Sequence, residues 1–283
     1  MAGENPPQPN ALTPQGALAG RVALVTGAGR GQGRSHAVAL AREGADVIAV
    51  DIGRPIESVP YSLSTRADLD ETARLVQAQS RKVIAEQADV RDRASLETAF
   101  LRGVEQLGGC DIVVANAGIA PVTLNGDHPD VFRHVLDVNV TGVWHTIEVA
   151  RECLVESHHG SVVMIGSTFS VSGVGGDSPG AIAYTASKHA VLGLMRSYAN
   201  SLGPQGIRVN AVLPGGVDTV MVTNPHSEDY YSRTGIGARL VTPMPVELMD
   251  PGDVTQAVVW LVSDLARYVT GIALPVDGGF LVR

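Results

Sequence analysis

Short apolar runs alternate along the chain with stretches whose apolar residues recur every three or four positions. Val22 to Val25, V-I-A-V before Asp51, Val83 to Ala88, I-V-V-A before Asn116, S-V-V-M-I before Gly166, R-V-N-A-V-L before Pro214 and the closing I-A-L-P-V each read as a buried strand. A strand covered on both faces has no polar face to alternate with, so its apolar residues run continuously. Between these runs, Ser35 to Arg42, Leu69 to Val76, Ala94 to Leu107, Val131 to Val149, Tyr184 to Leu202 and Asp253 to Ser263 carry helical spacing. Thr65 and Asp68 have the form of a capping box opening the second of these helices.

This alternation predicts one α/β domain: a doubly wound, parallel, seven-stranded sheet of Rossmann type, with helices on both faces and a ligand crevice at the carboxyl ends of the strands. Residues 1–18 are rich in Pro, Gln and Asn without periodicity and read as a disordered extension ahead of a domain spanning 19–283. Residues 52–66 form an irregular connection, longer than the few residues usual between strand and helix, and Pro55 and Pro60 stiffen it. Residues 217–250 show no clear period.

Composition narrows the partners. The 283 residues are 45% hydrophobic and 18% charged with a net charge of −8, which disfavours a nucleic-acid or anionic-membrane surface. No apolar run reaches the length of a membrane span and no export signal opens the chain. Cys110 and Cys153 stand isolated, as in a protein of the reducing cytoplasm. Eight histidines include no ligand spacing, so no metal is expected.

The first unit, R-V-A-L-V-T-G-A-G-R-G-Q-G-R-S-H-A-V-A-L-A-R-E-G-A-D-V-I-A-V-D, is strand, glycine turn, helix, strand and acid. Glycines at 27, 31 and 33 let backbone N–H groups approach a pyrophosphate, which the helix amino terminus holds by its dipole. Asp51 ends the second strand where a carboxylate meets a ribose diol and repels a 2′-phosphate, pointing to NAD. Further along, Tyr184 and Lys188 stand four apart on one helix face, so a fixed ammonium beside the phenol is expected to lower its pKa toward that of a working general base. Of 21 basic residues only Lys82 and Lys188 are lysines, so the compact ammonium at 188 is a departure from the chain's habit of arginine. Ser167 follows a buried strand, which places its hydroxyl at the crevice.

Taken together, these motifs resemble those of the short-chain dehydrogenase/reductases from about residue 20 onward. T-G-A-G-R-G-Q-G is similar to that family's glycine motif, Asn116, Ala117 and Gly118 to its N-A-G element, and Asn139, Ser167, Tyr184 and Lys188 to its catalytic tetrad. The resemblance implies that Gly27, Arg30, Gly31, Gln32 and Gly33 cradle the cofactor, that Asp89 and Val90 flank its adenine, and that Pro214, Gly215, Val217 and Thr219 lie at its nicotinamide. It implies Tyr184 as general acid/base, Ser167 on the substrate oxygen, Lys188 on the ribose and Asn139 in a proton relay. The implied activity is an NAD-dependent alcohol dehydrogenase or carbonyl reductase acting on a secondary alcohol or ketone. A non-catalytic dinucleotide sensor or scaffold, and a dehydratase or epimerase, are the alternatives on this fold.

More narrowly, G-R-G-Q-G-R-S-H-A, the insertion after Asp51 and D-V-R-D at 89–92 resemble the carveol-dehydrogenase-like branch associated with the redox cofactor mycofactocin. That resemblance implies a terpenoid-like substrate, and an insertion that covers NAD so that it is retained and recycled in place by an external redox acceptor. Ile56, Val59, Tyr61 and Leu63 give the cover apolar groups to lay down. The interval from Ser167 to Tyr184 is longer than the family usually shows, and Arg30 sits where NADP-using relatives meet the phosphate. Met221, Tyr230, Tyr231, Ile236 and Met244 suggest an apolar substrate pocket under a lid. Related proteins pair through the closing strand and the long helices, so a homotetramer is expected.

Overall fold

The computed structural model describes residues 16–124, 128–174 and 176–282. Seven parallel strands form one sheet: β1 (Val22–Thr26), β2 (Asp46–Asp51), β3 (Val83–Gln87), β4 (Ile112–Ala115), β5 (Ser161–Ile165), β6 (Arg208–Pro214) and β7 (Ala273–Val276), in the order β3-β2-β1-β4-β5-β6-β7. The chain winds outward from β1 to β3 and then returns to lay β4 on β1's other side, in register from Ala23 beside Ile112 to Val25 beside Val114. That reversal leaves a crevice above the carboxyl ends of β1 and β4.

Two apolar cores flank the sheet. On one face Leu96 and Phe100 of α3 (Arg93–Leu107), Ile147 of α5 (Gly142–Glu156) and Met195 of α6 (Pro179–Leu202) pack on Ile48, Val113 and Val162. On the other, Leu40 of α1 (Gly31–Arg42), Leu69 of α2 (Arg66–Gln77) and Val258 of α8 (Pro251–Val262) pack on Val47, Val114 and Val212. Successive residues of β1 and β4 are divided between the two cores, which is why those runs carry no polar alternation. The predicted capping box exists: Thr65 Oγ1 accepts from the Asp68 amide at 3.2 Å, and an Asp68 oxygen accepts from the Thr65 amide at 2.7 Å.

Several boundaries differ from the sequence reading. The expected extension lies, for residues 1–15, outside the described residues, but Leu18 is fully buried and its amide donates to the Glu43 carbonyl at 2.7 Å, so order reaches further toward the amino end. Helix α6 begins at Pro179, with Ser178 as its cap and proline in the first turn, rather than at Tyr184. The helical stretch from Val131 is broken into α4 (Val131–Leu136), a π-helical turn (Asp137–Thr141) and α5. Within the aperiodic 217–250 segment, Asn224 and Pro225 start α7 (Pro225–Thr234), the Asn224 side chain accepting from His226 and Ser227 amides at 3.0 and 3.1 Å.

Candidate active site

The crevice is a cleft of about 450 Å³ running across the carboxyl ends of the strands. At one end the glycine turn between β1 and α1 has no room for side chains: a Cβ at Gly33 would lie 2.0 Å from the Gly27 carbonyl oxygen, and one at Gly27, whose φ is +66°, 2.9 Å from the Ala117 Cα. Buried backbone at such a turn, with a helix amino terminus behind it, is a cradle for a phosphate. Gln32 lines the cleft here, and its buried Oε1 has no protein partner.

Asp51 closes this end. Its Oδ2 accepts from the Gly29 amide at 2.8 Å and its Oδ1 from the Gly53 amide at 3.1 Å and the Ser64 hydroxyl. The carboxylate therefore ties the glycine turn to both feet of the insertion at 52–66. Arg30 donates to the Ser62 carbonyl, so this guanidinium too is engaged with the insertion. Asp89 lines the cleft under the fork of Arg91, whose Nη2 stands 2.7 Å from Oδ2, with Arg54 at 3.4 Å. Burial works to raise the Asp89 carboxyl, but Arg91 outweighs it and holds the group below the ordinary carboxylate range.

The insertion forms a wall of the cleft through Ile52, Ile56, Tyr61, Leu63 and Ser64. Ile56, Val59 and Tyr61 are only 6, 9 and 8% exposed and belong to the main core. Roughly 1.5–3 kcal/mol for each fully buried apolar side chain fastens the segment down. The Ser58 hydroxyl adds a hydrogen bond to His134 Nδ1 at 2.9 Å.

At the other end stand Ser167, Tyr184 and Lys188. Ser167 leaves β5 in an extended conformation, its Oγ accepting from the Phe169 amide at 3.2 Å and standing near enough to the Tyr184 hydroxyl to work against the rise in its pKa. The Phe169 and Tyr184 rings meet in a T-shaped contact, centroids 6.0 Å apart. Lys188 Nζ donates to the Ile165 carbonyl at 2.7 Å and lies 5.6 Å from the Tyr184 ring centroid. Burial pushes the Lys188 ammonium down to about 8 and raises the Tyr184 hydroxyl, against which Ser167 pulls. The expected lowering of the Tyr184 pKa is thus not seen here: desolvation of the half-buried Tyr184 dominates, and the buried Lys188 ammonium is spent on a carbonyl.

All seventeen positions expected at the cofactor line this cleft, from Gly27 and Arg30 to Val217 and Thr219, and Ser167 joins them. Asn139 does not. It is 1% exposed in the π-helical turn and acts from behind, on Ile119. The side-chain amide of Asn116 likewise turns away from the cleft, donating to the Thr26 carbonyl at 2.9 Å and so joining β1 to β4. Ser64, Ile119 and Phe169 were not singled out from the sequence, and no local pattern marks them. Of the residues expected in a substrate pocket, only Met221 lines the cleft. Tyr230, Tyr231 and Ile236 instead pack with Val122, Val174 and Ala181 in a separate cluster, because the long loop before α6 brings its Gly176 against the Tyr230 ring. Met244 is 61% exposed. No group of metal-ligating side chains occurs among the described residues, and no described helix is long and apolar enough to cross a membrane.

Comparison with known proteins gives a coherent set. A family model described as enoyl-(acyl carrier protein) reductase matches residues 27–281. An oxidoreductase of Mycobacterium tuberculosis is 51% identical over 267 residues, covering 93% of this chain and 97% of that protein. The (−)-trans-carveol dehydrogenase of Rhodococcus erythropolis is 44% identical over 280 residues, covering 93% and 98%. The crystal structure of carveol dehydrogenase from Mycobacterium avium in complex with NAD is similar with a TM-score of 0.88 at 43% identity, covering 95% of this chain and all, 100%, of that one.

Proposed function

The chain belongs to the short-chain dehydrogenase/reductase family, and from that premise we propose that it is an NAD-dependent dehydrogenase of lipophilic, terpenoid-like secondary alcohols, or a reductase of the matching ketones. One observation carries the reading: a single cleft holds the glycine cradle and Asp51 at one end and the Ser167, Tyr184, Lys188 set at the other. The cradle fits a dinucleotide, since Gly31 keeps the turn bare beside Thr219 and the buried Gln32 Oε1 on the cleft wall has no protein partner, and Asp51 at the ribose position disfavours a 2′-phosphate. NAD, when bound, supplies the hydride acceptor or donor.

The chain's own groups bind, orient and move the proton. The glycine turn, Asp51, Asp89 and Val90 would hold the adenosine half, and Pro214, Gly215, Val217 and Thr219 the nicotinamide half, with Asn116 to Gly118 also lining the cofactor's cleft. In oxidation the alcohol proton passes to the Tyr184 oxygen, while the Ser167 hydroxyl hydrogen-bonds the substrate oxygen and fixes its distance from Tyr184. Lys188 is still largely cationic near pH 7 with a pKa of about 8, and its Nζ, held on the Ile165 carbonyl beside Gly118, would take the ribose of the bound cofactor. In reduction the same hydroxyl returns the proton.

The insertion's fastenings support a retained cofactor: its feet close on Asp51 and Arg30, and its middle is buried. We read it as a cover that slows NAD release, leaving an external redox acceptor to recycle the cofactor in place. The free thiols of Cys110 and Cys153 suit the cytoplasm. Exposed Trp144 on α5, Ile182 on α6 and Tyr268 beside β7 suit pairing of the long helices and the sheet edge in a homotetramer, which a sedimentation mass of one chain would refute. Purified protein given a panel of secondary alcohols and ketones, with the absorbance of its bound nicotinamide followed over a single turnover and continued turnover followed with an artificial electron acceptor, tests the activity. Absence of any absorbance change across the panel would overturn it.

A further inference from the structure

The insertion at 52–66 leaves the sheet on the adenosine side, yet one of its residues touches the reacting end. Tyr61 Oη accepts a hydrogen bond from the Ala120 amide at 2.9 Å. Ala120 ends the turn that follows β4 through Gly118 and Ile119, and this turn lies against the proposed catalytic groups: a Cβ at Gly118 would stand 3.7 Å from Lys188 Nζ and 3.4 Å from Asn139 Oδ1. Asn139 holds the turn from one side, through both backbone groups of Ile119 at 2.9 Å. Tyr61 holds it from the other. Tyr61 is 8% exposed, lines the same cleft as Ser167 and Tyr184, and lies near enough to Tyr184 that a charge there would raise its own pKa. Burial also raises it, and its oxygen is engaged with the Ala120 amide.

We propose that Tyr61 is a positioning residue for the reaction: by accepting from Ala120 it fixes the Gly118–Ala120 turn against Asn139 and Lys188. The insertion is then a part of the reacting site as well as a cover for the cofactor. This inference rests on the dehydrogenase reading above. A mispositioning of about 1 Å in such a turn can cost on the order of 10²-fold in rate, which makes one hydrogen bond consequential.

The test is Tyr61→Phe, which keeps the buried ring and deletes only the acceptor. Three quantities are compared with the unmodified enzyme: kcat and KM for an alcohol it turns over, nucleotide still bound after dialysis, and hydrogen exchange at the Ala120 amide. The expected result is a kcat about tenfold lower, KM and retained nucleotide unchanged, and faster exchange at Ala120. An unchanged kcat with faster Ala120 exchange overturns the proposal. So does a fall in kcat matched by loss of bound nucleotide, which would make Tyr61 a fastening of the cover only. If the unmodified enzyme oxidises no alcohol, the dehydrogenase reading falls and takes this inference with it. If it does and Tyr61→Phe is indistinguishable from it, only the inference falls.

Discussion

Asn139 holds Ile119 by both of its backbone groups, accepting from the amide and donating to the carbonyl, each at 2.9 Å. Its Nδ2 also reaches the Ser187 hydroxyl at 3.0 Å, so one amide joins the π-helical turn, the turn after β4 and helix α6. The π geometry adds a residue to the turn and so re-aims the side chain inward. Asn139→Ala leaves two buried backbone groups unpaired at roughly 1–3 kcal/mol each. A melting temperature several degrees lower and a fall in kcat are expected together; a variant with wild-type melting would show that the clamp bears no strain.

Tyr184→Phe removes the proton acceptor while keeping the ring in contact with Phe169. Turnover should fall at least 10²-fold, because positioned general bases contribute about that much, with NAD affinity nearly intact. Residual activity above about a tenth of wild type would exclude Tyr184 as the base.

For Asp51→Ala two effects are expected at once. Loss of the carboxylate relaxes the preference for NAD over NADP. Loss of the bonds to Gly29, Gly53 and Ser64 also loosens the insertion, so bound nucleotide should dialyse away faster. Equal use of both cofactors by the unmodified enzyme would show that Asp51 does not face the ribose.

Replacing residues 54–63 by a short Gly/Ser link removes Ile56, Val59 and Tyr61 from the core while leaving Ser64 to Asp51. Cofactor retained by the intact protein through extensive dialysis should then be lost. Equal loss from both proteins would end the cover reading.

The acid limb of stability should belong in part to His36. It is fully buried, and the Thr255 hydroxyl donates to the Pro251 carbonyl at 2.9 Å, so Thr255 accepts from His36 Nδ1–H at 2.8 Å. His36 Nε2 has no partner, and burial drops the imidazole to about 3. The folded state therefore binds fewer protons than the unfolded chain below pH ~6.5, and stability falls as pH drops from there toward 3. Between pH 7 and 5 this one group contributes a loss of about 2 kcal/mol. Urea unfolding at the two pH values should show that loss reduced in His36→Met; an identical pH dependence would exclude His36.

The parts legible in the sequence are those whose physics is local. Apolar runs set the seven strands because a doubly covered strand needs no polar residue, and the glycine turn, Asp51, Ser167, Tyr184 and Lys188 stand out because their chemistry demands particular residue types at fixed spacing along one strand or one helix. What periodicity encodes is which face of an element is buried; it does not say which other segment buries it. Only the tertiary structure therefore decided that Asn139 grips Ile119 from behind, that Tyr61 crosses from the insertion to Ala120, and that Tyr230 and Ile236 are spent on the long loop before α6 instead of on the cleft. The direction of the Tyr184 shift was decided there too, because desolvation depends on everything that surrounds a group, and the neighbours that bury Tyr184 come from segments far away in the chain.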